Sequence, residues 1–102
     1  MAENREVGEI VATRTLELIL ESGDKEEFQI NIGKPRSTDV SFICTHEICS
    51  AGSRKVVDIH GSDAFQALEL SLKSISPYLE YLERKRGGIF HFLGEPGHCF
   101  PK

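Results

Sequence analysis

The stretch TLELILESGDKEEFQINI, residues 15–32, decides the fold of this chain. Two runs in it alternate apolar and polar residues with the two-residue period of a strand that buries one face. The apolar positions are Leu16, Leu18 and Leu20 in the first run and Phe28, Ile30 and Ile32 in the second. Between the runs, Gly23 tolerates a positive φ and Asp24 can bond to the local backbone, which favours a turn. The sequence therefore predicts a β-hairpin with one buried face.

Two further strands are predicted downstream of this hairpin. Residues 33–38 form a loop, because Pro35 lacks the N–H that a strand ladder requires. Alternation resumes from Asp39 to Cys49 and, after a break at residues 50–53, from Lys55 to Ile59. Four strands joined by short turns are most simply an antiparallel meander with one buried face.

A helix is predicted after Gly61, where the apolar spacing changes to three and four residues. Asp63 and Gln66 have the spacing of a capping box at its start. Basic residues at 84–86 complement the negative end of a helix, and the glycines at 87 and 88 indicate its end. The predicted buried stripe consists of Phe65, Leu68, Leu72, Ile75 and Leu79.

Pro77 interrupts this helix, because it removes a backbone donor and clashes with the carbonyl of Lys73, at a cost of about 3 kcal/mol. Either one helix kinks there, or the helix ends near Ser76 and a second begins. We favour the kink, because the apolar stripe keeps its spacing across the proline. In the second case Tyr78 and Tyr81 would lie off the core and suit a partner-binding surface.

The elements combine into an α+β fold of order ββββαβ, in which an antiparallel meander of about five strands packs on one proline-interrupted helix. The fifth strand is Ile89–Leu93, nearly every position of which is apolar, so we expect little solvent on either face. We expect one domain over residues 1–102, with an ordered core at about residues 10–93. A loose arm at residues 1–8 and a tail at 94–102 flank it. The predicted core residues are Leu16, Leu18, Phe28, Ile30, Phe42, Phe65, Leu68, Leu72, Ile75, Phe90 and Phe92.

Two short motifs and the element order resemble a known family. Ile32-Gly33-Lys34-Pro35 closes the second strand, and Asp63-Ala64-Phe65-Gln66-Ala67-Leu68 opens the helix. With the order ββββαβ, they are similar to a family of small bacterial domains of unknown function, over about residues 10–93. The resemblance implies a bacterial, cytoplasmic accessory protein and assigns no site residue.

Charge and composition argue against several classes of partner. The net charge is −4, and residues 1–50 hold twice as many acidic as basic side chains, so no basic field for nucleic acid is present. The longest apolar run is three residues and the first residues lack a signal-peptide pattern, so no membrane association is expected. The three cysteines are then expected as free thiols in the cytoplasm.

A metal site is the first chemical alternative, and its candidates are Cys44, His46, Cys49, His98 and Cys99. Structural zinc sites use four ligands in tight pairs. Cys44 and Cys49 are five residues apart, so a regular strand directs them to opposite faces. A core role for Cys44 and a partly buried one for His46 are favoured, and no metal or cofactor is predicted.

Nucleophilic catalysis is the second alternative. It would need a thiol, a histidine and an orienting acid brought together by the fold. The candidates are Cys49 or Cys99, with His60, His91 or His98, and Asp58. Their spacing selects no set.

The favoured function is therefore a binding module that acts through a protein partner. A small sheet-plus-helix domain offers a sheet edge and an open face for docking. By analogy with other small acidic proteins, an accessory or immunity-type role that masks a partner is expected. Tyr78 and Tyr81 are the candidate contact residues. A homodimer through a sheet edge is a further expectation, because five strands leave two edges.

Overall fold

The predicted hairpin lies at the centre of the sheet in the computed structural model, which describes residues 7–102. Strand β1, Ile10–Leu20, pairs antiparallel with β2, Lys25–Gly33, and places Leu16 opposite Phe28. Gly23 has a φ of 93° in the turn, a conformation that glycine adopts without strain. The alternating pattern therefore sets both the pairing and the buried face.

The remaining strands extend the hairpin on both sides. They are β3 (Arg36–Ser37), β4 (Phe42–Ser50), β5 (Ser53–Gly61), β6 (Gly88–Phe92) and β7 (Glu95–Pro96). The long strands lie in the order β5-β4-β2-β1-β6, while β3 pairs with the start of β4 and β7 pairs with β6. The predicted antiparallel α+β fold is confirmed. After the helix the chain returns to pair with β1, so the meander order holds only for the strands before the helix.

Strand β4 begins at Phe42, three residues later than predicted. The hydroxyl of Thr38 accepts hydrogen bonds from the backbone N–H groups of Val40, at 3.3 Å, and Ser41, at 3.0 Å. This local turn takes backbone donors that a strand ladder would otherwise use.

A single helix, α1, spans Ala64–Arg86 with Pro77 inside it, so the favoured single helix is confirmed. Asp63 Oδ1 accepts from the Gln66 N–H at 2.8 Å, and Gln66 Oε1 accepts from the Ser62 N–H at 2.6 Å. The predicted capping box is thus present, with the return bond made to Ser62. Pro77 lies on the exposed side of α1, away from the sheet. At the other end, Gly87 has a φ of 71° and donates its N–H to the Glu83 carbonyl.

The buried face of α1 differs from the predicted stripe. Phe65 is 83% exposed, so its prediction as a core residue is wrong. A Cβ on Gly61 would lie 2.4 Å from the Ala67 nitrogen, so the first turns of α1 pack almost in backbone contact with β5. Such close packing admits only small side chains. The helix residues that are buried are Ala67, Ser71, Ile75, Ser76, Leu79 and Leu82.

The main core lies between α1 and strands β1, β2, β4 and β6. Its buried residues are Leu16, Leu18, Phe28, Ile30, Ile48, Ile75, Leu79, Leu82 and Phe90. The rings of Phe28 and Phe90 meet edge to face at 5.1 Å. Phe92, another predicted core residue, is half-buried against this main core. The remaining three predicted core residues are half-buried against a second, smaller cluster of Ile32, Cys44 and Ala67, namely Phe42, Leu68 and Leu72.

Strand β6 and the segment after it depart from their predictions. Ile89 is 54% exposed on the face opposite the helix, so the expectation of little solvent on either face of this strand is wrong. Residues 97–102, expected as part of a tail, pack on the domain: His98 is buried and Phe100 contacts the main core. The expected N-terminal arm falls almost wholly outside the described residues.

Candidate functional site

The cysteines and histidines proposed for a metal site lie in separate parts of the fold. Cys44 and His46 are buried on the helix face of β4, whereas Cys49 lies beside a hollow on the opposite face of the sheet. His98 and Cys99 belong to the C-terminal segment. Within residues 7–102, no three His, Cys, Asp or Glu side chains come close enough to hold a metal ion. The fold therefore does not bring these candidates together.

His46 links the sheet to the helix. Its side chain is 2% exposed, and its Nδ1 shares a hydrogen bond of 2.8 Å with Ser71 Oγ. Burial, and to a lesser extent the positive charge of Lys55, lower the pKa of His46 to about 4, against a smaller opposing effect of Asp58. The imidazole is therefore neutral at pH 7 and acts as a buried hydrogen-bonding group.

His98 holds the C-terminal segment on the helix. Its Nδ1 accepts the Phe100 backbone N–H at 3.1 Å, so in the neutral ring Nε2 carries the proton. That Nε2 lies 3.5 Å from Glu80 Oε2 and 3.4 Å from Ser76 Oγ. A histidine that activates a hydroxyl needs a free lone pair towards it, and Nε2 has none in this tautomer. The contacts of His98 therefore suit anchoring rather than catalysis.

The other catalytic candidates have structural partners. His60 Nδ1 shares a hydrogen bond of 3.2 Å with Ser41 Oγ, and Asp58 accepts from the Thr45 hydroxyl at 2.6 Å. His91 Nδ1 lies 3.1 Å from the carbonyl oxygen of Ile89 on its own strand. None of these contacts places a histidine against a thiol.

The three thiols differ in access, and this difference predicts their reactivity. Cys99 is exposed, Cys49 is half-buried and Cys44 is fully buried. Burial raises the pKa of Cys44, and burial together with the charge of Glu47 raises the pKa of Cys49. In native protein purified without reductant, an aromatic disulfide reagent should modify Cys99 first and Cys44 at least about a hundredfold more slowly, as its exposure requires local opening.

The same reagent should count three thiols in urea-unfolded protein, and Cys99→Ser should remove the fast phase. Cys49→Ser serves as the matched control and should leave the fast phase unchanged. A fast phase that persists in Cys99→Ser would contradict the assignment. Fewer than three thiols in urea would indicate a disulfide and contradict the expectation of free cysteines.

The sheet face opposite the helix carries a chain of hydrogen-bonded polar side chains, in which Asn31 and Glu47 are buried and Thr13 and Arg54 at the two ends are exposed. Thr13 Oγ1 donates to Asn31 Oδ1 at 2.7 Å, and Asn31 Nδ2 donates to Glu47 Oε2 at 2.8 Å. Arg54 Nε donates to the other oxygen of Glu47 at 2.7 Å. These bonds join β1, β2, β4 and β5 in turn, so the network fixes the register of the sheet.

The exposed flank of α1 next to β5 combines aromatic and cationic groups. We call Lys55, Tyr78, Tyr81 and Lys85 the tyrosine flank. The two tyrosine rings are 5.9 Å apart. Lys55 Nζ lies 5.0 Å from the centroid of the Tyr78 ring, and Lys85 Nζ lies 5.7 Å from that of Tyr81. The sequence predicts both tyrosines off the core only if a second helix begins at Pro77. In the single helix α1, Tyr78 is half-buried against the main core, and Tyr81 is nevertheless 44% exposed.

Arg14 is a residue of potential function that the sequence analysis missed. Its guanidinium carbon lies 4.5 Å from the centroid of the Phe92 ring and 4.6 Å from that of Phe100. Its Nη1 donates to the carbonyls of His98, at 3.1 Å, and Cys99, at 2.7 Å. A signal was present, because the alternation in β1 places Arg14 on the same face as Leu16.

The fold defines a small α+β domain, with one helix on an antiparallel sheet. A family model for a domain of unknown function, DUF6968, matches residues 12–102, and the chain belongs to this family. The predicted resemblance to a small domain family of unknown function is thus confirmed. No curated protein and no solved structure gave a significant match. In the part of the chain from residue 7 onwards, no helix is long and apolar enough to cross a membrane.

Proposed function

We propose that this protein is a binding module that engages an acidic segment of a protein partner through the tyrosine flank. The observation that carries the proposal is the tyrosine pair, with 44% of Tyr81 open to solvent and a lysine over each ring. Tyrosine is enriched among the residues that contribute most to binding, because it buries a large ring and retains a hydroxyl.

The geometry of the flank reduces the cost of binding. Tyr78 is held against the core on one side and against Tyr81 on the other, so less side-chain freedom remains to be lost on contact. Lys55 on β5 and Lys85 on α1 give the flank two positive charges. An acidic segment would thus meet complementary charge and two rings at one place.

The wider role in this proposal is that of an accessory or immunity-type protein that masks its partner in the bacterial cytoplasm. Three free cysteines support a reducing compartment. A homodimer through a sheet edge stays a separate prediction, which sedimentation of the purified protein tests.

Crosslinking in the native cell tests the proposal. A photoreactive phenylalanine analogue placed at Tyr81 should give one discrete adduct with a protein, whose crosslinked peptide is rich in Asp and Glu. With that partner purified, Tyr78→Ala combined with Tyr81→Ala should weaken the Kd by about tenfold or more, by calorimetry. Added salt should weaken binding by the wild type.

The matched control uses Phe65, an equally aromatic and more exposed residue of the same helix. The analogue at Phe65 should give no such adduct, and Phe65→Ala should leave the Kd unchanged. Circular dichroism checks that every variant folds. Adducts only at Phe65, no adduct at either position, or an unchanged Kd in the double tyrosine variant would each overturn the proposal.

A further inference from the structure

A cleft lies between the other flank of α1 and the first half of β1. The backbone of the helix lies nearest to β4, β5 and β6, so the helix does not cover the start of β1 and the end of β2 on this face. The C-terminal segment lies next to them instead. The cleft has a volume of about 130 Å³. Its walls include Ile30, Ile32, Leu72, Ile75, Phe100 and Arg14.

Size and lining suit a compact apolar group. A cavity of roughly 150 Å³ lined by Leu, Ile and Phe is large enough to take up benzene. Here Ile30 and Ile32 form the sheet wall, and Leu72 and Ile75 form the helix wall. Among residues 7–102, no acidic side chain lines the cleft, and Arg14 is the charged group in its wall.

The contacts of Arg14 leave one edge of its guanidinium for a ligand. The rings of Phe92 and Phe100 lie near the guanidinium, and Nη1 donates hydrogen bonds to two backbone carbonyls. Within residues 7–102, no carboxylate pairs with Arg14, and its hydrogen bonds to the protein are those made by Nη1. The edge formed by Nε and Nη2 has the two parallel N–H groups that match a carboxylate.

We propose that this cleft binds a small carboxylic acid whose apolar part is about the size of a benzene ring. The carboxylate lies on the Nε and Nη2 edge of Arg14, and the apolar part lies in the cleft against the side chains of Ile32, Leu72 and Phe100. A neutral ring fills the same volume and leaves the guanidinium unpaired. Inorganic phosphate pairs with the guanidinium and leaves the apolar walls uncovered. Only a ligand with both features satisfies the whole site.

Benzoate is the probe for the full chain, followed by NMR of the isoleucine and leucine methyl groups and of Arg14 Nε–H. Saturable shifts are expected at Ile32, Leu72 and Arg14, with a Kd on the order of 1 mM or tighter. Benzamide and inorganic phosphate, titrated separately, should bind at least about tenfold more weakly, because each lacks half of the contacts.

Two variants separate the cleft from the fold. Arg14→Gln should weaken benzoate binding by about tenfold or more, and Leu72→Trp should abolish it by filling the cleft while keeping the arginine. Arg84→Gln removes an exposed arginine of α1 and should bind benzoate as the wild type does. Arg14 also binds the C-terminal segment, so Arg14→Gln can destabilise the fold. Leu72→Trp tests the site independently, because it keeps Arg14 and its contacts.

Several results would overturn the site. Equal affinity for benzoate and benzamide would show that Arg14 does not bind the carboxylate. Equal affinity for benzoate and phosphate would show that the site binds anions without using its apolar walls. If Leu72→Trp bound benzoate as tightly as the wild type does, benzoate would bind outside the cleft. If the NMR shifts were still not saturated at about 10 mM benzoate, the protein would have no specific site for it. The tyrosine flank lies on the opposite flank of α1, so neither proposal depends on the other.

Discussion

Replacing Leu79 by alanine is expected to lower the free energy of unfolding by about 3–5 kcal/mol. Leu79 is fully buried and lies in the cluster that joins α1 to Leu16, Leu18 and Phe90. Truncating it loses the transfer free energy of the side chain and leaves a cavity that the rigid sheet refills poorly. Urea denaturation followed by circular dichroism measures the change.

Leu70→Ala is the matched control on the same helix. Leu70 is 42% exposed, so its loss should cost less than about 1 kcal/mol. Leu72→Ala, at a half-buried position, should fall between the two. A cost at Leu79 as small as that at Leu70 would mean that α1 does not pack on the sheet as described.

Local patterns account for the parts of the fold that the sequence predicts correctly. The hairpin of β1 and β2 follows from strict alternation on both sides of a turn, and the ends of α1 follow from Asp63 and Gly87. These features depend on residues a few positions apart. They are therefore visible in the sequence without knowledge of tertiary contacts.

Apolarity alone mispredicts part of the buried face of α1, although Ile75 and Leu79 are buried as predicted. Phe65 is apolar and exposed, whereas Ser71 is polar and fully buried. The distance between α1 and β5 determines which helix residues are buried here. The two elements approach so closely at Gly61 that only Ala67 and similarly small residues fit between them. The signal in the sequence is the pair of small residues Ala67 and Ser71, about one turn apart, which a hydrophobicity scale does not score as buried.

The C-terminal segment and the candidate sites depend on contacts between residues far apart in the chain. Composition predicts a tail from Gly94 to Lys102, yet Arg14, more than eighty residues earlier, donates hydrogen bonds to the carbonyls of His98 and Cys99. The same holds for Lys55 over the ring of Tyr78. The sequence marks the individual residues, and only the strand order β5-β4-β2-β1-β6 determines which of them meet.

Acidification should destabilise the protein through His46, by about 2 kcal/mol between pH 7 and pH 5 and by about 3 kcal/mol in full. The pKa of His46 is lowered to about 4 in the folded state, against an ordinary value of 6.5. Between these two values the unfolded chain binds a proton that the folded one does not. Stability is therefore unaffected above pH 6.5, falls as the pH drops through this window and reaches its full loss below about pH 4.

His46→Asn isolates this effect, since the asparagine amide can keep the hydrogen bond to Ser71 and has no proton to gain. Its unfolding free energy, from urea denaturation, should change by less than about 0.5 kcal/mol between pH 7 and pH 5 once other groups are accounted for. His60→Asn, at an exposed position of β5, is the matched control for the loss of a histidine and should keep the pH slope of the wild type. Restricting the comparison to pH 5 and above keeps most carboxyl groups ionised, so their titration contributes little. The same pH slope in His46→Asn and wild type would show that another group carries the proton uptake, and that the imidazole beneath α1 is not the acid-sensitive point of the fold.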